Sequence, residues 1–194
     1  MKGIKLHFPQ NKFASSGRIL FITALIIGLF IIIVKPVVAG INDDRYDGNI
    51  FVVYAGNGSL IPPAQTLEET LARHKPAILT FYVDNSSNCK QYAIVVSQLQ
   101  EFYGRAAEII PINVDAIPQK ESFKLTEAGY YYSGGVPQVV VFDQAGKVVF
   151  NKNGQVPYED IDDKLRVVFN LLPREESVTL KRRSFNEFSS ELTP

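Results

Sequence analysis

Apolar and polar positions fall into blocks along the chain, and the first block differs from the rest. Ile19–Val34 is apolar throughout apart from Thr23 and Gly28; Lys35-Pro36 interrupts it and Val37-Val38-Ala39 resumes it. Alone the run is short for a bilayer, which takes roughly 17–25 residues. With Val37–Ala39 added and Lys35 reaching to the interface, residues 19–39 are long enough to span. Two readings stand: a transmembrane anchor, or a cleaved signal peptide, since Val37-x-Ala39 carries the small residues that cleavage prefers. The anchor is favoured, because the run exceeds the roughly 7–15 residues of a signal core. Basic residues precede the block (residues 1–18) and Asp43 and Asp44 follow it, which predicts a cytoplasmic N-terminus and a body across the membrane.

Past the block, the pattern shortens. Residues 40–65 are rich in Gly, Asn, Asp and Pro and read as a linker that packs onto the domain, with one short strand over Asn49–Tyr54. Thr66–His74 reads as a helix opened by a capping box of Thr66 and Glu69. Ala77–Val83 is an apolar strand, Asp84–Asn88 a polar loop, and Lys90–Tyr103 a helix with Ile94, Val95, Leu99 and Phe102 at helical spacing and Gly104 as its cap. Glu108–Val114 is a second strand. Pro118–Ser133 is polar and holds Tyr130-Tyr131-Tyr132. Val139–Phe142 and Lys147–Phe150 form a hairpin through Asp143-Gln144-Ala145-Gly146. Glu159–Leu172 is an amphipathic helix with Ile161, Leu165, Val168, Phe169 and Leu172 inward, stopped by Pro173. Residues 173–194 form a polar tail. The order α, β, α, β, hairpin, α predicts an α/β domain over residues 66–172. Its central mixed β-sheet holds two parallel strands joined by a crossover helix, with helices flanking it.

Charge adds a constraint on partners. The chain is neutral overall, but residues 1–40 carry five Lys or Arg and no acid, which leaves 15 basic and 20 acidic side chains in residues 41–194. A mildly acidic body excludes nucleic acid as the expected partner, because phosphate binding needs a basic face. The triplet Lys181-Arg182-Arg183 reads as part of a solvated tail. His7 and His74 stand apart, and with one cysteine there is no ligand set for zinc. No phosphate loop or nucleophile–base motif occurs, so no cofactor and no metal are expected.

The chemistry-bearing stretch is Phe81-Tyr82-Val83-Asp84-Asn85-Ser86-Ser87-Asn88-Cys89-Lys90. It resembles the redox loop of thioredoxins, in which Phe-(Trp/Tyr)-Ala leads through two positions to Cys-x-x-Cys-Lys. Asn113-Val114-Asp115, Gly135-Val136-Pro137 and Gly146 fit further family signatures, and the resemblance covers roughly residues 66–172. It implies a thioredoxin-like fold and a cis bond before Pro137. It also implies a peptide-binding groove formed by Tyr82, Asn85, Ser86, Cys89, Val136, Pro137 and Gln138. The pattern is broken where chemistry matters. Ser86 stands where the first, attacking cysteine belongs, Cys89 takes the place of the second, and Thr80 stands where thioredoxins often keep a buried acid. A serine hydroxyl is far too weak an acid to act as the thiolate that a helix N-terminus favours. With one cysteine in the chain, no intramolecular disulfide forms. Cys89 reads either as a monothiol that traps a partner thiol or as a small packing residue. The tyrosine run reads equally as binding surface or as packing.

Several stretches together resemble a cyanobacterial family, the thylakoid membrane photosystem I accumulation factors. They are the apolar N-terminal block, Asp44-Arg45-Tyr46-Asp47-Gly48-Asn49-Ile50, Tyr54-Ala55-Gly56-Asn57-Gly58-Ser59-Leu60, Asn88-Cys89-Lys90-Gln91, Gly129-Tyr130-Tyr131-Tyr132 and Leu172-Pro173-Arg174. That resemblance implies a single-pass protein of the thylakoid or plasma membrane, its C-terminal domain in the lumen or periplasm. It would serve photosystem I subunits or other thylakoid membrane proteins as an assembly factor rather than as an enzyme. The alternative is a monothiol oxidoreductase that works through Cys89.

Overall fold

The computed structural model describes residues 19–28 and 40–177. Residues 19–28 are helical. Among the described residues no helix is long and apolar enough to cross a membrane. The rest of the expected anchor, residues 1–18 and the tail from residue 178 with its basic triplet lie outside the described residues.

The domain that begins at Gly40 is built on a four-stranded sheet ordered β2-β1-β3-β4. The strands are β1 (Ala77–Tyr82), β2 (Glu108–Asn113), β3 (Gln138–Phe142) and β4 (Val148–Asn153). β1 pairs parallel with β2 and antiparallel with β3, and β3 pairs antiparallel with β4. The parallel pair needs a crossover, supplied by α3 (Ser87–Tyr103); the antiparallel pair needs only a turn. In that turn Asp143 Oδ1 accepts from the N–H groups of Ala145 and Lys147, both at 2.9 Å, and Gly146 takes φ +73°.

Buried on both faces, β1 separates two apolar cores, which is why its sequence is a continuous apolar run rather than an alternation. One face meets α3 and α4 (Tyr158–Val168) around Ile78, Val96, Leu99, Val141, Ile161 and Leu165. The other face, with Leu79, Phe81, Val140 and Phe142, is covered by α2 (Leu67–Ala72) and by irregular chain from Val114 to Tyr132. The capping box at Thr66 and Glu69 is present as expected. The tyrosine run divides: Tyr131 packs edge-on against Phe142 at 4.8 Å and Tyr132 lies 5.4 Å from Phe81, while Tyr130 is exposed.

Three expectations need correction. Asn49–Tyr54 is not a strand; Ile50–Val53 is a short helix, α1, whose N-cap Asn49 accepts from Phe51 N–H. Ile50 and Phe51 are adjacent and both fully buried while Val52 and Val53 are exposed, a two-and-two grouping that suits a helical turn and not the alternation of a strand with one buried face. The inward face of α3 is Cys89, Tyr92, Ala93, Val96, Leu99 and Tyr103, so Ile94 and Phe102 face out. The final helix ends at Val168, where Asn170 adopts a left-handed φ of +52°. Leu172 is therefore exposed rather than inward.

Candidate functional site

The loop between β1 and α3 delivers Ser86 and Cys89 to the start of a 17-residue helix. Ser86 is the N-cap, with extended φ −119° and ψ 123°, and its Oγ accepts from Cys89 N–H at 3.4 Å. The hydroxyl that replaces the expected thiol thus satisfies an orphan helix donor. One turn on, Cys89 is 1% exposed. Burial pushes its thiol pKa up, against hydrogen bonds from Val83 and Ser86 that favour the thiolate. A buried thiol with a raised pKa is a poor nucleophile.

The remaining groove residues sit at graded depths. Tyr82 is buried, edge-on to Phe51 at 5.0 Å, with its hydroxyl accepting from Asn49 Nδ2 at 3.1 Å. Burial pushes its pKa up to about 12. Asn85 is exposed. The Val136–Pro137 bond is cis, as the resemblance implies. Pro137 is buried and its carbonyl accepts from Gly154 N–H at 2.7 Å. Gln138 is fully buried and faces away from any ligand. Its amide donates to Tyr131 O at 2.7 Å and Asn151 Oδ1 at 2.9 Å and accepts from Ser133 N–H at 3.0 Å. Half-buried Val136 keeps its backbone N–H and C=O without a hydrogen-bond partner among the described residues. Of the residues expected to form a groove, those left accessible are Asn85, half-buried Ser86 and the Val136 backbone.

The first residues of the domain pack against this loop, as the linker reading expected, through polar partners that it did not name. Gly40–Tyr54 forms a strap bolted to the redox loop and α3. Lys90 is 0% exposed, and its ammonium donates to Gly40 O at 3.0 Å, Asp43 Oδ1 at 3.2 Å and Asp47 Oδ2 at 2.8 Å. All three of its N–H donors are thereby met. Burial opposes this charge, but the hydrogen bonds to Asp47 and Asp43 outweigh it and hold the pKa above the ordinary lysine value. Asp44 Oδ1 accepts from Ser87 N–H at 2.7 Å, a carboxylate at the helix N-terminus where the dipole favours it. Asp84, at the end of β1, accepts from Ile50 N–H and from Asn113 Nδ2, both at 3.0 Å. Gln91 donates to Asn42 at 3.0 Å. The strap's carboxylates answer to these partners. Hydrogen bonds from Arg45 hold Asp43 down at about 2; the Ser87 N–H lowers Asp44; Lys90 and then Tyr54 lower Asp47. The sequence signal was an Asp-rich segment lying ahead of a lysine that follows the cysteine. Among the described residues no cluster of His, Cys, Asp or Glu could hold a metal ion.

A strand that feeds a helix through a Ser-x-x-Cys turn, opposite a cis-proline loop at the start of an antiparallel strand, defines a thioredoxin-type site. Residues 63–169 match the thioredoxin-like domain family, and the chain belongs to it. A thylakoid membrane protein of Synechocystis sp. is 58% identical over 155 residues, covering 80% of this chain and 77% of that protein. Among solved structures, a mutant thioredoxin from Halobacterium salinarum is 24% identical, with a TM-score of 0.43 over 55% of this chain and 86% of that one. The germline thioredoxin Deadhead of Drosophila melanogaster is 21% identical, with a TM-score of 0.40 over 51% of this chain and 85% of its own.

Proposed function

We propose that this chain is a membrane-anchored thioredoxin-like assembly factor, which holds extended protein segments without dithiol–disulfide turnover. The observation that carries the reading is the fate of the redox pair: Ser86 is spent as a helix cap and Cys89 is buried beneath it. The unpaired Val136 backbone beside the cis-proline offers one donor and one acceptor to a passing strand, and such main-chain pairing reads no particular sequence. The similarity to a thylakoid membrane protein and the apolar block over residues 19–39 support a single-pass thylakoid protein with a cytoplasmic N-terminus and a lumenal domain. Its clients on this reading are subunits of photosystem I.

The test is the photosystem I level in a deletion strain that carries either the wild-type protein or Cys89→Ala. Equal restoration is expected. Restoration by the wild type alone would mean that Cys89 forms mixed disulfides with a partner, and a deletion without effect would remove the photosystem reading. In vitro, the full chain is expected to leave insulin disulfides intact in the presence of a thiol reductant; robust turnover would overturn the non-catalytic reading.

A further inference from the structure

The irregular chain that covers the second core leaves a cavity of about 530 Å³ between the turn from Ile61 to Leu67, the outer margin of β2 and residues 116–129. Ile61, Leu67, Ile110, Ile112, Ile117 and Phe123 make its walls. The wall formed by residues 116–129 is built rather than loose. Phe123 lies so close over Gly129 that a Cβ there would meet its ring at 2.4 Å. Lys120 sits 4.8 Å from the same ring and pairs with Glu127 at 2.5 Å, while Glu127 also accepts from Lys124 N–H at 2.6 Å. Tyr131 donates to Leu125 O at 2.8 Å and ties the far end down. A wall held in advance costs a ligand little ordering.

We propose that this cavity binds a single acyl or isoprenoid chain of a membrane lipid. Four features choose that occupant. Most of the lining is aliphatic or aromatic, with Thr66, Glu68, Asn113 and Thr126 among its polar members, and Lys120 and Glu127 pair with each other. The volume falls within the roughly 300–1,000 Å³ of small-molecule sites. The cavity follows β2 from Ile110 to Asn113, a rise of roughly 10 Å, which suits an extended chain over a compact ring system. A peptide strand is disfavoured at this edge. Glu108 N–H points inward to Pro76 O, so alternation turns Ile109, Pro111 and Asn113 outward, and Pro111 brings no N–H to the middle of the row. The choice of a lipid as the source rests on the membrane reading above; the cavity itself does not involve the Val136–Pro137 edge.

The experiment uses the full chain in lipid nanodiscs and palmitate carrying a terminal diazirine, with photoadducts mapped by mass spectrometry. Adducts are expected on peptides spanning residues 110–129 and are expected to disappear under competing unlabelled palmitate. Competition by geranylgeraniol instead would assign an isoprenoid chain. Ile117→Trp, which narrows the cavity, is expected to lower labelling there about tenfold, equivalent to about 1.4 kcal/mol, with the circular dichroism melt retained. The wild-type map is read first and depends on no variant. Adducts confined to residues 19–39, or spread over the surface without competition, would overturn the proposal. So would displacement by an apolar peptide but not by either lipid. Labelling of the cavity in detergent, away from a bilayer, would keep the site even if the membrane reading failed.

Discussion

At the scale of single residues, the decisive change is Ser86. Its Oγ caps α3 by accepting from Cys89 N–H, so a position that other sequences use for thiol chemistry here serves helix stability. Ser86→Ala is expected to lower unfolding stability by about 1 kcal/mol and Ser86→Gly by only a few tenths, measured by urea denaturation with the slope unchanged. Ser86→Cys tests whether a thiol at this position is enough to give dithiol chemistry. Asp44 already occupies Ser87 N–H and places a negative charge at the helix terminus. That charge opposes the thiolate which the terminus would otherwise favour. Ser86→Cys alone is therefore expected to give a thiol of ordinary or raised pKa and weak insulin reduction. Adding Asp44→Ala is expected to lower that pKa and raise the rate, followed by thiolate absorbance against pH. Equal reactivity in the single and double variants would show that Asp44 has no part in setting the reactivity of a thiol here.

At the scale of elements, the strands, the crossover helix, the capping box and the hairpin were legible in the sequence, because each has a local cause. Ala77–Val83 is apolar throughout, Thr66 and Glu69 are three residues apart, and Asp143 and Gly146 make their own turn. The cis bond at Pro137 followed from resemblance rather than from any local pattern. That the segment from Gly40 packs onto the domain was legible, but its partners were not, since they are distant in sequence: Lys90 meets Asp47 43 residues away and Asp84 meets Ile50 34 residues away. Nor was the phase of α3, where Tyr92, Ala93 and Val96 outcompete the more apolar-looking Ile94 and Phe102 for the core. Two predictions belong to the strap. Asp43, Asp44 and Asp47 have pKa values below the ordinary carboxylate value of about 3.9. Their stabilisation is thus complete above about pH 4 and is lost as pH falls through their folded values, about 2 for Asp43. Asp84 runs the other way: burial raises its pKa, so acid favours the folded state at that one group and softens the loss. Hydrogen exchange at Ser87 and Ile50 N–H is expected to quicken between about pH 4 and 2, before exchange in β1. Lys90→Met strands the buried Asp47 carboxylate, and is expected to lower the denaturation midpoint; Lys90→Met with Asp47→Leu should recover most of it, because an apolar pair of similar volume carries no desolvation cost.

At the scale of the whole molecule, the domain has one thiol, buried at the helix start to which the strap is bonded, and it can report whether that region opens. The sheet is held from both faces and β1 is paired along both edges. The strap is held by polar bonds along Gly40–Asn49 and, at its far end, by Ile50 and Phe51 of α1, which are fully buried in the first core. Local opening draws on the least buried, most polar contacts first, so the polar stretch Gly40–Asp47 is expected to lift while Ile50, Phe51 and the sheet stay in place. Cys89 reports that step without ambiguity because the chain has no other cysteine. In the wild-type chain at neutral pH its reaction with an aromatic disulfide reagent is expected to be slow and to become fast in denaturant. In Lys90→Met the reaction is expected to quicken severalfold at neutral pH while far-ultraviolet circular dichroism stays unchanged. In the Lys90→Met, Asp47→Leu pair it should slow again. This pattern would identify the strap as a separable cover, one that sets when the redox loop meets a partner. Labelling that quickens only in step with loss of the circular dichroism signal would instead make strap and sheet a single cooperative unit, with Cys89 a core residue in every folded state.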